Sequence, residues 1–209
     1  MTKAWANWAM QPRRWIGCKP TTPMPSNAGS PGFPLAPGFE EIEMITVVNI
    51  LRRSGARVTV AGIVDGLIEG ARGLKIIADE SIDNIQIESF DLIVLPGGQP
   101  GTDNLKNDQR VITLIKNMDN KGKLIGAICA APIILGECGI LKKNKITSHP
   151  SVKEILLTDY YVEDRVVIDN NIITSRSPGT AMEFSFKLVE ILFGKDRVEM
   201  VNNGVLGNL

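Results

Sequence analysis

The chain has 209 residues, 44% of them apolar and 22% charged, with 23 basic residues balancing 23 acidic ones. That is one ordinary domain, or one domain plus an extension, and it is long enough to bury a core without covalent staples. Zero net charge gives no broad footprint for nucleic acid. Three cysteines without a CxxC pair make neither a disulfide framework nor a zinc site, and no apolar run is long enough to span a membrane. A reducing, cytoplasmic compartment is the simpler reading.

Two kinds of sequence meet near Gly38. Residues 1–39 hold Lys3, Arg13, Arg14 and Lys19 but no acid, together with Trp5, Trp8, Trp15 and seven of the twelve prolines. Lys19 to Pro37 reads as extended coil. The expectation is a disordered, atypical leader over 1–36 and a folded domain over 37–209. An acid-free leader with arginines also fits an organelle transit peptide.

From Glu40 the pattern becomes helical. Ile42, Ile45, Val48, Ile50 and Leu51 share one face, and Glu40, Glu41 and Glu43 occupy the first turn, where acids suit the helix dipole. Strands are expected over Arg57–Gly62, Leu74–Ala78, Asp91–Leu95, Lys123–Ile128 and, briefly, Ile146–Ser148. Helices are expected over 108–119, Ala130–Gly136 and Thr180–Phe193, and a hairpin turns at Asn170-Asn171. Strands alternating with helices give a mostly parallel sheet covered on both faces, with the active site at the carboxyl ends of its strands. The central first strand of such a sheet is missing from this reading. Ser30-Pro-Gly-Phe-Pro-Leu-Ala-Pro37 carries three prolines, each without a backbone donor. A vacant central slot would cost about 1–3 kcal/mol for each buried unpaired group, so a markedly unstable chain is expected.

Four places at the strand ends carry chemistry. Cys129 lies between a buried strand and a helix, where free N–H groups and the helix dipole favour thiolate and can hold an oxyanion. Pro96-Gly97-Gly98 follows another buried strand and offers exposed backbone amides. It lacks the Lys and Ser/Thr of a phosphate loop. His149, the single histidine, follows the short strand before Pro150, and Ser175-Arg176 ends the hairpin. Taken alone, each has a plain structural alternative: a core cysteine, an ordinary turn, a structural histidine, a solvated acid at Glu43.

Together the segments Gly38-Phe-Glu-Glu-Ile-Glu43, Val58–Gly62, Leu95-Pro-Gly-Gly98, Asn104-Leu105, Ala127-Ile-Cys-Ala130, Lys145–Pro150 and Thr174–Thr180 resemble the ThiJ/PfpI superfamily, in the branch of the Parkinson-disease protein deglycase. The resemblance runs from Pro37 to about Asn202. It implies a flavodoxin-like three-layer α/β sandwich with a nucleophile elbow. Cys129 matches its nucleophile and oxidation-sensitive thiol. Glu43 matches an acid whose protonated carboxyl donates to the cysteine sulfur and lowers its pKa. His149 matches a proton carrier, Gly98 an oxyanion donor assisted by Gly97 and Ala130, and Arg72 and Arg176 supporting arginines. The implied activity is a cofactor-free, metal-free glyoxalase or deglycase acting on α-oxoaldehydes or on their early adducts with protein side chains. A redox-sensing chaperone using the same thiol is the alternative. A peptidase fits less well, because Ala130 stands where those branches place a histidine. The resemblance also implies a homodimer paired through the first helix, with Met44, Val47 and Val48 as its apolar patch.

Overall fold

The computed structural model describes residues 29–141, 143–156 and 158–207. The elements in chain order are β1 (Pro31–Leu35), α1 (Glu41–Arg53), β2 (Thr59–Gly62), β3 (Leu67–Glu69), β4 (Lys75–Ile77) and β5 (Glu80–Ser81). They continue with β6 (Leu92–Leu95), α2 (Gly101–Asn107), α3 (Gln109–Asn120), β7 (Leu124–Ile128), α4 (Pro132–Glu137), β8 (Val166–Asp169), β9 (Ile172–Ser175), α5 (Ala181–Phe193) and α6 (Lys195–Val205). Seven strands form one sheet in the order β5-β2-β1-β6-β7-β9-β8, parallel except where β8 meets β9. β3 and β4 make a separate antiparallel ribbon.

The sheet is buried on both sides because successive side chains point to opposite faces. Phe33, Leu35, Leu92, Val94 and Ile173 pack with α1, α5 and α6. Ile93, Leu95, Ile125 and Ala127 pack with α2, α3 and α4. The result is the expected three-layer α/β sandwich.

β1 overturns the expectation of a vacant slot. It lies centrally between β2 and β6, with Gly32 to Leu35 in register with Thr59 to Gly62. The prolines are tolerated because of where their missing donors fall. The Leu35 carbonyl accepts from Ile63 N–H on the β2 side, and the Ser30 carbonyl accepts from Asp91 N–H on the β6 side. Odd residues therefore address β2 and even residues β6. Pro31 is the first residue of the strand, a permitted position. Pro34 costs one donor on the β6 side, where the ladder covers only Pro31 and Gly32. Pro37 lies past the strand. The leader boundary at 36 thus falls too late, since Pro31–Leu35 form a strand of the sheet. The disorder expected for residues 1–28 lies outside the described residues.

Three smaller corrections follow. Ile146–Ser148 is not a strand but a single bridge between Ile146 and Tyr161. α4 starts at Pro132 rather than Ala130 and has only 6 residues. The core stripe of α1 is Met44, Val47, Val48, Ile50 and Leu51, while Ile42 and Ile45 are 55% and 42% exposed.

Candidate active site

The carboxyl ends of β6, β7 and β9 converge. Cys129 follows β7 with φ +64°, a left-handed backbone that a side chain of its kind rarely adopts. The surroundings hold it there. Its N–H donates to the Ser175 carbonyl at the end of β9 (2.9 Å), and its carbonyl accepts from His149 N–H (2.8 Å). This is a strained strand-to-helix turn that leaves the thiol half-buried.

Glu43 arrives from the first turn of α1 and is fully buried. Glu40 caps that helix, its carboxylate accepting from Glu43 N–H at 2.8 Å. Sequence reading treated Glu40 only as an acid complementing the dipole. Its spacing three residues before Glu43 was the available signal for a capping role. Glu43 Oε2 accepts from Gly97 N–H at 2.7 Å, while Oε1 is buried without a hydrogen-bond partner. Burial lifts the Glu43 pKa to about 7. Hydrogen bonding to the Cys129 side chain and to Gly97 opposes that rise, and the Glu40 charge adds to it.

The expected low-pKa thiol is not what an ionised Glu43 would give. Burial pushes the Cys129 thiol up, a Glu43 carboxylate pushes it further, and the Ala130 N–H pulls it down. Two acids this close do not both ionise, so the site holds a shared proton. The local help for a thiolate comes from the Ala130 amide rather than from a long helix.

The glycines divide their roles. The Gly97 N–H is committed to Glu43, so Gly97 is not an oxyanion donor as expected. It is instead the residue that lets the elbow and the acid meet. A Cβ there would lie 2.8 Å from both Cys129 Cβ and Glu43 Oε2, and 3.1 Å from Ala130 N. Gly98 has φ +94°, packs against the Gly38–Glu40 backbone, and its N–H has no acceptor among the described residues. Gly98 and Ala130 remain as amides for a developing negative oxygen.

His149 is brought to the site through its main chain, as above. Its Nδ1 is 2.8 Å from Ser151 Oγ and accepts from Ser151 N–H at 3.2 Å. Arg176 directly follows the residue that anchors Cys129, and its Nη1 donates to the Glu163 carbonyl at 2.8 Å. Arg72 is exposed in the β3–β4 turn, where its N–H donates to Glu41 at 2.6 Å and its guanidinium to the Ala71 carbonyl. Within one chain it supports the start of α1 and does not join the Cys129–Glu43 pair.

The model of the DJ-1/PfpI family matches residues 32–191. The chain is 43% identical over 175 residues to Protein dj-1beta of Drosophila melanogaster, an alignment covering 82% of this chain and 94% of that protein. It is 38% identical over 160 residues to the glutathione-independent glyoxalase DJR-1.2 of Caenorhabditis elegans, covering 76% and 85% respectively. The crystal structure of Drosophila melanogaster DJ-1beta superposes with a TM-score of 0.84 at 41% identity, over 87% of this chain and all of that one. On its central strand, its elbow and these likenesses together, the chain belongs to the DJ-1/PfpI family.

Proposed function

We propose that this protein is a cofactor-independent glyoxalase or deglycase that uses Cys129 as nucleophile and Glu43 as its acid–base partner. The observation that carries the reading is the buried Glu43 carboxyl, raised to about 7, against a cysteine held at φ +64°. A protonated Glu43 carboxyl is a donor toward the Cys129 side chain, so the thiolate is the form that accepts. The likeness to a relative named as a glyoxalase supports the same chemistry.

The reaction begins when the Cys129 sulfur bonds to the aldehyde carbon of an α-oxoaldehyde. The carbonyl pair moves onto oxygen, which takes the Glu43 proton, giving a hemithioacetal. Gly98 and Ala130 N–H groups offset the charge that develops on that oxygen. The Glu43 carboxylate then removes the proton from the same carbon, leaving an enediolate in which the hydroxyl proton passes to the neighbouring, formerly ketone, oxygen. Glu43 returns the carbon proton to the neighbouring carbon as the first carbon regains its C=O. A thioester of the 2-hydroxy acid results. Water cleaves it, releasing lactate from methylglyoxal or glycolate from glyoxal and restoring the thiol. A pKa near neutrality suits a group that must give, take and give again. Early hemithioacetals and hemiaminals on protein side chains offer the same carbon in adduct form. The active unit is a homodimer.

The test is lactate formation from methylglyoxal by the wild type and by Cys129→Ala. The variant keeps the fold, seen as unchanged circular dichroism, and loses conversion. Wild-type turnover no faster than that of a free thiol would leave a redox-sensing chaperone, with the same cysteine oxidised, as the better reading.

A further inference from the structure

Ser151, which the sequence alone does not mark, makes both of the hydrogen-bond contacts to the His149 ring among the described residues. Its main-chain N–H donates to His149 Nδ1 at 3.2 Å, and its hydroxyl lies 2.8 Å from the same nitrogen. The rest of His149 is equally fixed. Its N–H holds the Cys129 carbonyl, and its own carbonyl accepts from Val152 N–H at 3.1 Å and from Ser148 Oγ at 3.0 Å.

A backbone N–H can only donate. Nδ1 must therefore present its lone pair to Ser151, and in a neutral imidazole the proton then sits on Nε2. The serine hydroxyl reinforces this, since it can rotate to donate to the same lone pair. Among the described residues no protein group bonds Nε2. Nε2–H is thus the ring nitrogen without a protein partner among the described residues, and it is a donor.

We propose that Ser151 is a positioning residue that fixes His149 in the Nε2–H form, so that the histidine meets substrate as a hydrogen-bond donor to its oxygen and not as a base. This rests on the glyoxalase reading for the identity of the substrate, but not for the state of the ring. The Nε2–H bond strengthens as the aldehyde oxygen gains charge during sulfur attack, and no proton leaves the ring. Proton removal from carbon stays with Glu43. This assignment replaces the proton-carrier role that the resemblance implied.

The experiment has two arms. The first is nitrogen-15 NMR of the ring in the whole protein at alkaline pH, where a histidine ring is neutral. With one histidine in the chain the signals need no assignment. The expected spectrum has a protonated Nε2 and a bare Nδ1. A ring protonated at Nδ1 overturns the proposal, whatever the enzyme does. The second arm is kinetic, with methylglyoxal. Ser151→Ala lowers kcat by about two- to tenfold, the value of one hydrogen bond, with KM little changed, and Ser151→Thr restores it. His149→Gln, which keeps an N–H donor but cannot act as a base, retains clearly more activity than His149→Ala. Equal activity in the Gln and Ala variants refutes the donor role, and wild-type kcat in Ser151→Ala refutes the Ser151 hydroxyl as a positioning group. A wild type without turnover would sink the glyoxalase reading while leaving the NMR arm to decide the state of the ring.

Discussion

At the scale of single residues, the site is governed by one proton shared between two acids. Glu43 has an ordinary pKa of 4.5 in an unfolded chain and about 7 in the folded one, because burial disfavours its charge. Between those values the unfolded state releases a proton that the folded state keeps. Stability therefore falls as pH rises from about 4.5 through 7 and is level above that. The shift corresponds to about 3 kcal/mol. Glu43→Gln keeps an acceptor for Gly97 N–H and removes the ionisation. The expected outcome is a Tm several degrees above wild type at pH 8, close to wild type at pH 5, and lactate formation severely reduced. Thermal unfolding followed at both pH values checks it, and an equal Tm difference at the two would refute it. Cys138 serves as an internal contrast, a buried thiol pushed up to about 11 mainly by burial and without an acid of this kind beside it. Gly97 supplies the second residue-scale prediction. Gly97→Ala places a Cβ 2.8 Å from Cys129 Cβ and from Glu43 Oε2, so the elbow and the acid must separate. A displacement approaching 1 Å at reacting groups costs about a hundredfold in rate, and kcat/KM for methylglyoxal is expected to fall by that order. Wild-type kcat/KM in a folded Gly97→Ala protein would contradict the tight apposition.

At the scale of elements, β6, β7, α1, α3 and α5 were legible because their apolar patterns are long and their ends carry turn residues. The elbow was legible for the same reason, since Cys129 directly follows a buried run. β1 was not. Three prolines in eight residues argue against a central strand when the direction of each missing donor is unknown. Direction depends on parity and register, and only the pairing with β2 and β6 reveals them. The role of Gly97 was hidden likewise, because its acceptor lies 54 residues away in sequence. The short helix α2 and the terminal α6 carry too little periodicity to be read. β1 contains one further exception to its apolar pattern. A Cβ on Gly32 would come 2.6 Å from Ile93 Cδ1 and 3.1 Å from the Phe90 ring, so the strand packs where no side chain fits. Gly32→Val is expected to lower stability by about 1–3 kcal/mol, the usual cost of overpacking a core. Urea unfolding measures this, and an unchanged midpoint would show that Ile93 and Phe90 can yield.

At the scale of the whole molecule, the surface left by folding bears on assembly. Sequence reading offered Met44, Val47 and Val48 as the dimer patch, but these residues are spent on the chain's own core. The exposed apolar side chains include Ile42 and Ile45 on α1, with Leu67 (63% exposed) and Ile77 (73%) on the β3–β4 ribbon. Ile45 and Ile77 line a shared groove between α1 and β4, bordered by Met44, Val48 and Ile76. An exposed apolar pair bridging a helix and a ribbon, rimmed by Asn49, Arg52, Arg53 and Asp79, is what a self-complementary partner would cover. The ribbon also touches the site's supports, since Arg72 N–H, in its turn, holds Glu41 beside the Glu40 cap. Pairing here would therefore steady the helix that delivers Glu43. The proposed homodimer predicts a species of twice 22.8 kDa in sedimentation at micromolar concentration. Ile45→Glu with Ile77→Glu should dissociate it, because two like charges buried in an apolar interface are costly and cannot pair with each other across it. The double variant should keep its circular dichroism, as both side chains are already exposed in one chain. If the wild type sediments only as the single chain, pairing through this face is excluded, and the apolar ribbon needs another explanation.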